Sequence, residues 1–277
     1  MSVTRVFSCG GGVQSTAALV LAAQGKINFP VFCFANVGDK AENPDTLAYV
    51  DNVLKPYAAK HGIAWVTTQW HWKRNPDRSP DLYDELMRPG RQSVDIPLVA
   101  GGGGYMGNRA CTSKWKRATI ERYLRSVGFT KESPGVLGKG ISTDEHHRAV
   151  PTVEGDCWIN EYPLIELGID RNQCRKIIKE AGLPMAPKSS CWFCPYKTTD
   201  QWATMQKQQP ELFAKAVELE QHINEIRESR GKDKAFLSAA GGKKCLTLDK
   251  MFSTDQMGLF PEWIDEQDGC ESGYCMT

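Results

Sequence analysis

The first half of the chain alternates short apolar runs with segments that have helical periodicity. The apolar runs predict three β-strands, at 4–8, 29–35 and 63–68. The second run is apolar throughout, which is typical of a strand buried on both faces of a parallel sheet. Between the runs, the pattern predicts a helix over 15–24, closed by Gly25, and another that opens at Asn43-Pro44. This βαβαβ order predicts an α/β, Rossmann-like parallel sheet with right-handed crossovers.

The pattern becomes irregular between Trp70 and Arg109, where four prolines and a glycine run interrupt it. The segment is rich in Arg and Lys, and both a functional loop and a solvated surface loop remain open. Beyond it, we expect a fourth strand over 135–141 and helices over 114–127, 170–181 and 200–228, the last broken at Pro210. From Arg230 onward we expect an irregular, partly helical C-terminal extension.

Composition and charge narrow the class of protein. Of the 277 residues, 41% are hydrophobic and 24% are charged, which argues against extensive disorder. The formal net charge of +1 excludes a strongly cationic protein that binds nucleic acid without specificity, but it permits a local basic patch on the surface. No stretch approaches the roughly 20 apolar residues of a membrane span, and the first residues lack the apolar core of a signal peptide. We therefore expect a cytoplasmic protein that does not enter the membrane.

A glycine-rich loop joins the first predicted strand to the first predicted helix. It contains Gly10, Gly11 and Gly12, followed by Ser15 and Thr16. Glycines allow backbone N–H groups to approach a phosphate, and the helix N-terminus contributes partial positive charge. The spacing is neither that of a Walker loop nor G-x-G-x-x-G. The loop predicts an anion site, with a ligand-free turn as the alternative.

The segment Gly10–Ser15 resembles the SGGxDS loop of the PP-loop ATP pyrophosphatase superfamily, in the branch that includes phosphoadenosine phosphosulfate (PAPS) reductases. Gly10 stands where that family has Ser, and Gln14 stands where it has Asp. The family's carboxylate helps to hold magnesium and pyrophosphate, whereas Gln offers no full charge to a metal. The resemblance implies magnesium, and the Gln14 substitution puts that implication in question.

Three further segments resemble the same family, in order, over about residues 3–205. The stretch from Phe34 to Gly38, with Glu42, Thr46 and Tyr49, resembles the strand and helix that meet adenine. The stretch from Gly138 to Arg148 resembles the GIRxDES…R segment, and 162–164 with 182–184 resembles the PL…GLP region. The implied fold is adenine nucleotide alpha hydrolase-like. The residues implied to hold ATP, adenylylsulfate or PAPS are Ser8, Gly10, Gly11, Gly12, Gln14, Ser15, Thr16, Phe34, Asn36, Gly140, Asp144 and Glu145.

The resemblance also suggests catalytic cations, with Arg109, Lys114 and Arg148 stabilising developing negative charge. For the adjacent carboxylates Asp144 and Glu145, a solvated turn is the alternative. Four tryptophans lie near basic residues and could stack bases, although core packing is the better explanation for most of them. These are Trp65, Trp70, Trp72 and Trp115.

The ten cysteines include one pair with metal-ligand spacing, Cys191-x-x-Cys194. This spacing suits zinc, an iron–sulfur cluster or a redox dithiol. With Cys111 upstream, it resembles adenylylsulfate reductases, in which a Cys-Cys pair precedes the CxxC, although Ala110 replaces one cysteine. The resemblance implies a [4Fe-4S] cluster on Cys111, Cys191 and Cys194. The fourth iron would be open or bound by Cys270 or Cys275, or Cys275 would act as a mobile catalytic thiol. Most of the lone cysteines are expected to be small buried hydrophobes.

The resemblance implies a nucleotide-binding domain over 1–190 and a second region over 191–277. Three functions remain open. The first is ATP-dependent activation of a nucleic-acid or nucleotide target for thiolation, as in DNA phosphorothioation, with a sulfur donor such as a cysteine desulfurase. The second is reduction of adenylylsulfate or PAPS to sulfite. The third is a non-catalytic nucleotide-binding module. Monomer and homodimer are both compatible with the sequence.

Overall fold

A computed structural model describes residues 4–252, except 92, 102–103, 108 and 239–245. The strands of this described part are β1 (Arg5–Cys9), β2 (Val31–Asn36), β3 (Ala64–Gln69), β4 (Leu98–Ala100), β5 (Tyr105–Met106), β6 (Gly135–Lys139), β7 (Trp158–Glu161) and β8 (Ala235–Phe236). Its α-helices are α1 (Val13–Ala23), α2 (Pro44–Tyr49), α3 (Lys55–Lys60), α4 (Leu82–Met87), α5 (Ala110–Thr112), α6 (Ala118–Ser126), α7 (Pro163–Glu166), α8 (Arg171–Glu180), α9 (Thr199–Gln208), α10 (Pro210–Glu228) and α11 (Leu248–Met251).

Two helical runs contain a π-helical turn. Val50–Leu54 joins α2 to α3, and Ser113–Arg117 leads into α6. A 3₁₀ segment, Thr143–Arg148, follows β6. Turns of π-helix are rare and frequently occur at functional sites. The second of them begins two residues after Cys111.

The chain forms two compact units, and each is discontinuous in sequence. Within the described residues, the first unit comprises 4–81 and 112–190, and the second comprises 82–111 and 191–252. Within these described ranges, no helix combines the length and the apolarity that a membrane crossing needs.

The first unit is built on a five-stranded sheet in the order β3-β2-β1-β6-β7. Every neighbouring pair is parallel, and Ser8 of β1 lies opposite Cys33 of β2 and Lys139 of β6. The chain moves outward on one side of β1 through β2 and β3, then returns to the other side as β6 and β7. This confirms the predicted α/β, Rossmann-like parallel sheet. It also creates a switch point beside β1, where ligands of open α/β sheets bind.

Helices cover both faces of this sheet, because strand side chains point alternately to the two sides. Phe7 and Phe32 belong to a core cluster that includes Leu19 of α1 and Ile178 of α8. Val6, Cys33 and Leu137 belong to a second cluster, with Ile120 and Leu124 of α6. Buried apolar side chains of this size stabilise the folded state by roughly 1.5–3 kcal/mol each.

The second unit contains a small antiparallel sheet in the order β5-β4-β8, together with α4, α9, α10 and α11. Glu220 of α10 is buried, and its carboxylate accepts the backbone N–H of Leu237 and of Leu248, each at 2.7 Å. Burial raises the pKa of this carboxyl to about 7. These two hydrogen bonds connect the residue after β8 and the first residue of α11 to α10.

Several predicted elements differ from those observed. The irregular stretch between 70 and 109 contains a helix and two short strands, and β8 lies in the predicted extension. These strands are only two or three residues long, too short for a detectable alternation. The helix predicted over 114–127 begins with the π-helical turn, and β7 had no predicted counterpart.

Candidate functional site

The glycine loop lies between the end of β1 at Cys9 and the start of α1 at Val13. Gly11 has a φ of +74°, a left-handed conformation that disfavours any side chain. A Cβ atom there would lie 3.0 Å from Thr46 Cγ2 and 3.2 Å from Val50 Cγ2. Both the backbone angle and the surroundings therefore require glycine at this position.

The two hydroxyl groups of the loop hold its own backbone. Ser15 Oγ accepts the N–H of Gly12 at 3.1 Å and donates to the Gly12 carbonyl at 3.0 Å. Thr16 Oγ1 donates to the same carbonyl at 2.9 Å, and both side chains are buried. The first N–H groups of a helix lack intrahelical partners. The donors that α1 offers an anion are thus backbone groups rather than these hydroxyls.

Other segments of the first unit pack closely on the loop. A Cβ atom on Gly140, just after β6, would lie 3.3 Å from the Ser15 nitrogen. The Gln14 side chain lies 3.5 Å from Ser142 Oγ, measured from Nε2. Ser189 Oγ would lie 3.1 Å from a Cβ atom on Gly12. The loop is therefore surrounded by residues from distant parts of the sequence.

A cavity of about 250 Å³ opens beside the loop, at the carboxyl ends of the central strands. Ser8 and Cys9 line it from β1, Gly10 from the glycine loop, and Leu137 and Lys139 from β6. Apolar side chains, including Trp158, form part of its wall, with Asn160 and Asp156 among the polar groups. The cavity lies at the switch point of the sheet, where a ligand is expected.

Three cations line this cavity: Lys139, Lys116 and Arg117. Arg117 forms an ion pair with Asp156 at 3.0 Å, and Lys116 Nζ lies 3.6 Å from the buried Glu42 carboxylate. Burial is the main cause that lowers the pKa of Lys139, from 10.5 to about 8, and the Arg117 charge adds to it. Bound negative charge would favour the protonated amine.

Two further buried polar groups lack hydrogen bonds within the described residues. One is the ammonium of Lys188, the residue before Ser189, and the other is the hydroxyl of Thr46, whose methyl group faces Gly11. A buried ammonium without a partner is costly, and a bound anion would remove that cost.

The other residues expected to bind nucleotide have defined partners in the protein. The Phe34 side chain belongs to the core cluster under α1. The Asn36 side chain donates to Asp39 at 2.7 Å and accepts the Gly38 N–H at 2.8 Å. Asp144 accepts the Arg171 N–H at 3.0 Å. The buried Glu145 pairs with Arg148, and its carboxylate lies 3.8 Å from Arg171.

The residues expected to act in catalysis belong to several elements of the two units. Arg148 lies in the 3₁₀ segment and bonds to Glu145. Lys114 lies among the indole rings of Trp70, Trp72 and Trp115. Arg109 belongs to the second unit, where its guanidinium lies 5.5 Å from the Tyr196 ring centroid. Cys275, like Cys270, lies outside the described residues.

The candidate metal ligands Cys111, Cys191 and Cys194 all belong to the second unit. Cys191 and Cys194 share a tight turn, in which the Cys194 N–H donates to the Cys191 carbonyl at 3.1 Å. The Cys111 N–H donates to the Asp95 carbonyl at 2.6 Å. Across the described residues, no three side chains of His, Cys, Asp or Glu come together as a metal site.

Four candidate site residues were not predicted from the sequence: Lys116, Arg117, Lys139 and Lys188. One signal for Lys139 was available, since it is a charged residue between two glycines at the end of an otherwise apolar strand. Lys116 and Arg117 looked like members of an ordinary basic helix. The position of Lys188 depends on tertiary packing.

No family model and no curated protein matches this sequence. One similar solved structure is the U34-tRNA thiolase NcsA from Methanococcus maripaludis with its [4Fe-4S] cluster. The two chains are 13% identical, with a TM-score of 0.41, over 91% of this chain and 83% of that chain. A likeness this distant carries no argument about the activity of this chain.

Proposed function

We propose that this protein is a PP-loop enzyme that binds ATP or an adenylyl nucleotide at the glycine loop and carries out sulfur transfer. The observation that supports this most is the loop itself, which joins β1 to α1 beside a cavity with cationic groups at the switch point. Backbone N–H groups at the start of α1 would bind the phosphates. Lys139 and Lys188 would supply positive charge.

In the proposed reaction, an oxygen of the acceptor attacks the α-phosphorus of ATP and pyrophosphate leaves. A sulfur nucleophile then displaces AMP from the adenylated acceptor. The loop would hold the leaving pyrophosphate, and the cations of the cavity would stabilise charge that develops at the α-phosphoryl group. Gln14 carries no charge, so magnesium would arrive with the nucleotide, bound largely by phosphate oxygens.

The proposed acceptor is a nucleic acid or a nucleotide, with sulfur supplied by a donor such as a cysteine desulfurase. The alternative is reduction of adenylylsulfate or PAPS to sulfite. A thiolate such as Cys275 would attack the sulfate sulfur and release the adenine nucleotide, and a second thiol would then release sulfite as a disulfide forms. A second alternative is nucleotide binding without turnover. All three share the same nucleotide site.

Pyrophosphate release distinguishes these functions. Purified protein should bind ATP in a calorimetric titration and release pyrophosphate when a nucleic-acid acceptor and a sulfur donor are present. Sulfite formation from adenylylsulfate or PAPS would instead support the reductase. Binding with neither product would support the non-catalytic module, and absence of any adenine-nucleotide binding would contradict all three.

The Lys188 ammonium allows a direct test of the site. Lys188→Gln should weaken ATP binding about tenfold or more, because a charged hydrogen bond to phosphate contributes roughly 1.5–3 kcal/mol. Lys176→Gln is the matched control, since Lys176 is exposed on α8. Equal affinities for the two variants would remove Lys188 from the site.

The iron–sulfur hypothesis rests on the cysteine spacing and on the resemblance, and no step of the reaction above depends on it. Protein purified without oxygen should contain iron and sulfide, and serine at Cys111, Cys191 or Cys194 should reduce both. Cys174→Ser is the control, because Cys174 is buried against α1 in the first unit. Stoichiometric zinc without iron would contradict the cluster.

A further inference from the structure

Three tryptophans of the first unit form a cluster with basic side chains, here called the tryptophan cluster. The rings of Trp70, Trp72 and Trp115 have centroids 5.7–6.1 Å apart. Trp115 is fully buried, whereas Trp70 and Trp72 are partly exposed. The buried ring therefore supports two rings that reach the surface.

Cations lie over these rings. Lys114 Nζ is 4.4 Å from the Trp72 centroid and within 5.5 Å of the other two. The Arg78 guanidinium lies 3.5 Å from the centroid of Trp72, and that of Arg122 lies 5.2 Å from the centroid of Trp70. At a partly exposed site, such contacts contribute little to stability.

The cluster occupies the same edge of the sheet as the cavity. Trp70 directly follows β3, so it lies at the carboxyl end of a parallel strand. Lys114 and Trp115 belong to the π-helical turn whose next residues, Lys116 and Arg117, line the cavity. A ligand on the cluster would thus lie along the same helical segment that borders the proposed reaction site.

The residues around the cluster add positive charge at the surface. Between 70 and 80 the chain has three basic residues, Lys73, Arg74 and Arg78, and one acidic residue, Asp77. Lys73 and Arg74 are exposed. Partly exposed aromatic rings combined with surrounding cations are the features by which proteins bind single-stranded nucleic acid, because bases stack on the rings and phosphates meet the cations. Here the Arg78 guanidinium covers one face of Trp72, so a stacked base would displace it.

We propose that the tryptophan cluster binds single-stranded nucleic acid, with a base stacked on Trp72 in place of the Arg78 guanidinium. Arg78 would then turn to a phosphate, together with Lys73 and Arg74. The inference rests on the proposed function for the choice of a nucleic-acid acceptor, and it names the surface that holds it. A duplex hides its base faces, so single strands should bind more tightly. An acidic peptide would use the cations but not the aromatic faces.

The test measures binding of fluorescein-labelled single-stranded oligothymidylate and oligouridylate by anisotropy, without ATP. Trp72→Ala should weaken binding about 5- to 100-fold, the range for loss of one stacked base. Trp72→Phe should retain most of the affinity, because it keeps an aromatic face. Trp65→Ala is the matched control. Trp65 is a partly exposed tryptophan of β3, but it packs against the core cluster that contains Phe7 and Phe32, outside the tryptophan cluster.

Salt dependence gives a second readout. Replacing Arg74 by Gln should lower the slope of log affinity against log salt by about 0.7, the value for one phosphate of a single strand.

Absence of binding, equal losses in Trp72→Ala and Trp65→Ala, or equal competition by polyglutamate would overturn the proposal. ATP affinity, measured separately in the same variants, shows whether the nucleotide site is intact, so failure here is distinguishable from failure of the proposed function. A strong preference for one of the two homopolymers would identify the strand as DNA or RNA.

Discussion

Gly11 and Gly25 have nearly the same backbone conformation, with φ values of +74° and +69°, but different surroundings. A Cβ atom on Gly11 would meet Thr46 and Val50, whereas one on Gly25 would have no atom within 4 Å. The two positions therefore separate the strain of a left-handed residue from the crowding of the glycine loop.

Both Gly11→Ala and Gly25→Ala should lose about 1–2 kcal/mol of unfolding free energy from backbone strain. Gly11→Ala should lose more unfolding free energy than Gly25→Ala, because its added methyl group displaces Thr46 and Val50. For the same reason, it alone should lose ATP affinity. Urea unfolding and calorimetric titration measure the two effects. If the two variants bind ATP equally well, the loop is not the nucleotide site.

Lys139 should make folding stability depend on pH. Its pKa is lowered on folding, so between pH 8 and 10.5 the unfolded chain binds more protons than the folded one, and this contribution to stability rises with pH. This contribution of Lys139 to stability is lost as the pH falls through about 8. Lys139→Met should therefore be more stable than the wild type at pH 7, and the difference should shrink towards pH 10.5. Urea unfolding of both proteins over this range measures that difference, and a constant difference would contradict the assignment.

At the scale of single residues, the glycine loop was predictable from the sequence, because glycines at a strand–helix junction allow backbone N–H groups to approach a phosphate. The sequence also predicted that most lone cysteines are buried, which is confirmed for Cys9, Cys33, Cys157 and Cys174. It did not predict that Ser15 and Thr16 bond to the Gly12 carbonyl, because hydroxyl orientation depends on local geometry. Lys188 was missed since its place beside the loop is a product of long-range packing.

Among the elements, β6 depends on its glycines for packing. A Cβ atom on Gly138 would lie 2.5 Å from the Phe29 ring and 2.7 Å from the Phe7 ring. These two rings meet edge to face in the core, with centroids 5.4 Å apart. The missing side chain at 138 provides the space that they fill.

Gly138→Ala should therefore destabilise the protein by about 1–3 kcal/mol or more through overpacking of the core. Gly101→Ala is the control, because no atom in the described part of the chain lies within 4 Å of the Cβ position there. Thermal unfolding of the two variants tests this, and similar melting temperatures would show that β6 accommodates the methyl group.

The strands of the large sheet were predictable where an apolar run was long enough to show its period, as in β1, β2 and β3. The second sheet was not, because β4, β5 and β8 have only two or three residues each. The carboxyl-edge cavity was likewise hidden, since it draws on β1, β6, β7 and the turn before α6, which are far apart in sequence.

For the whole molecule, the main feature is the discontinuity of its two units. The chain enters the second unit at Leu82, leaves it after Cys111 and returns at Cys191. Within the second unit, α4 packs against α10, and β4 pairs with β8. The segment 82–111 thus depends on residues that come much later in the sequence.

A chain ending at Ser190 should fold its parallel sheet but leave 82–111 without its partners. Limited proteolysis should then cut within 82–111 and spare the sheet, whereas the full chain should resist cleavage in both regions. Mass spectrometry of the fragments locates the cuts. Protection of 82–111 in the shortened chain would show that this segment has structure independent of α10 and β8.

The same discontinuity sets an order of events on the ribosome. All five strands of the large sheet have been synthesised once Glu161 is added, but the partners of 82–111 arrive only with α10 and β8. At about 5–20 residues per second, this delay lasts on the order of 5–20 s. During that time Leu86 and Leu98, both buried in the finished protein, remain accessible to chaperones and to neighbouring nascent chains. The yield of native protein in cells should therefore depend on elongation speed between codons 112 and 236.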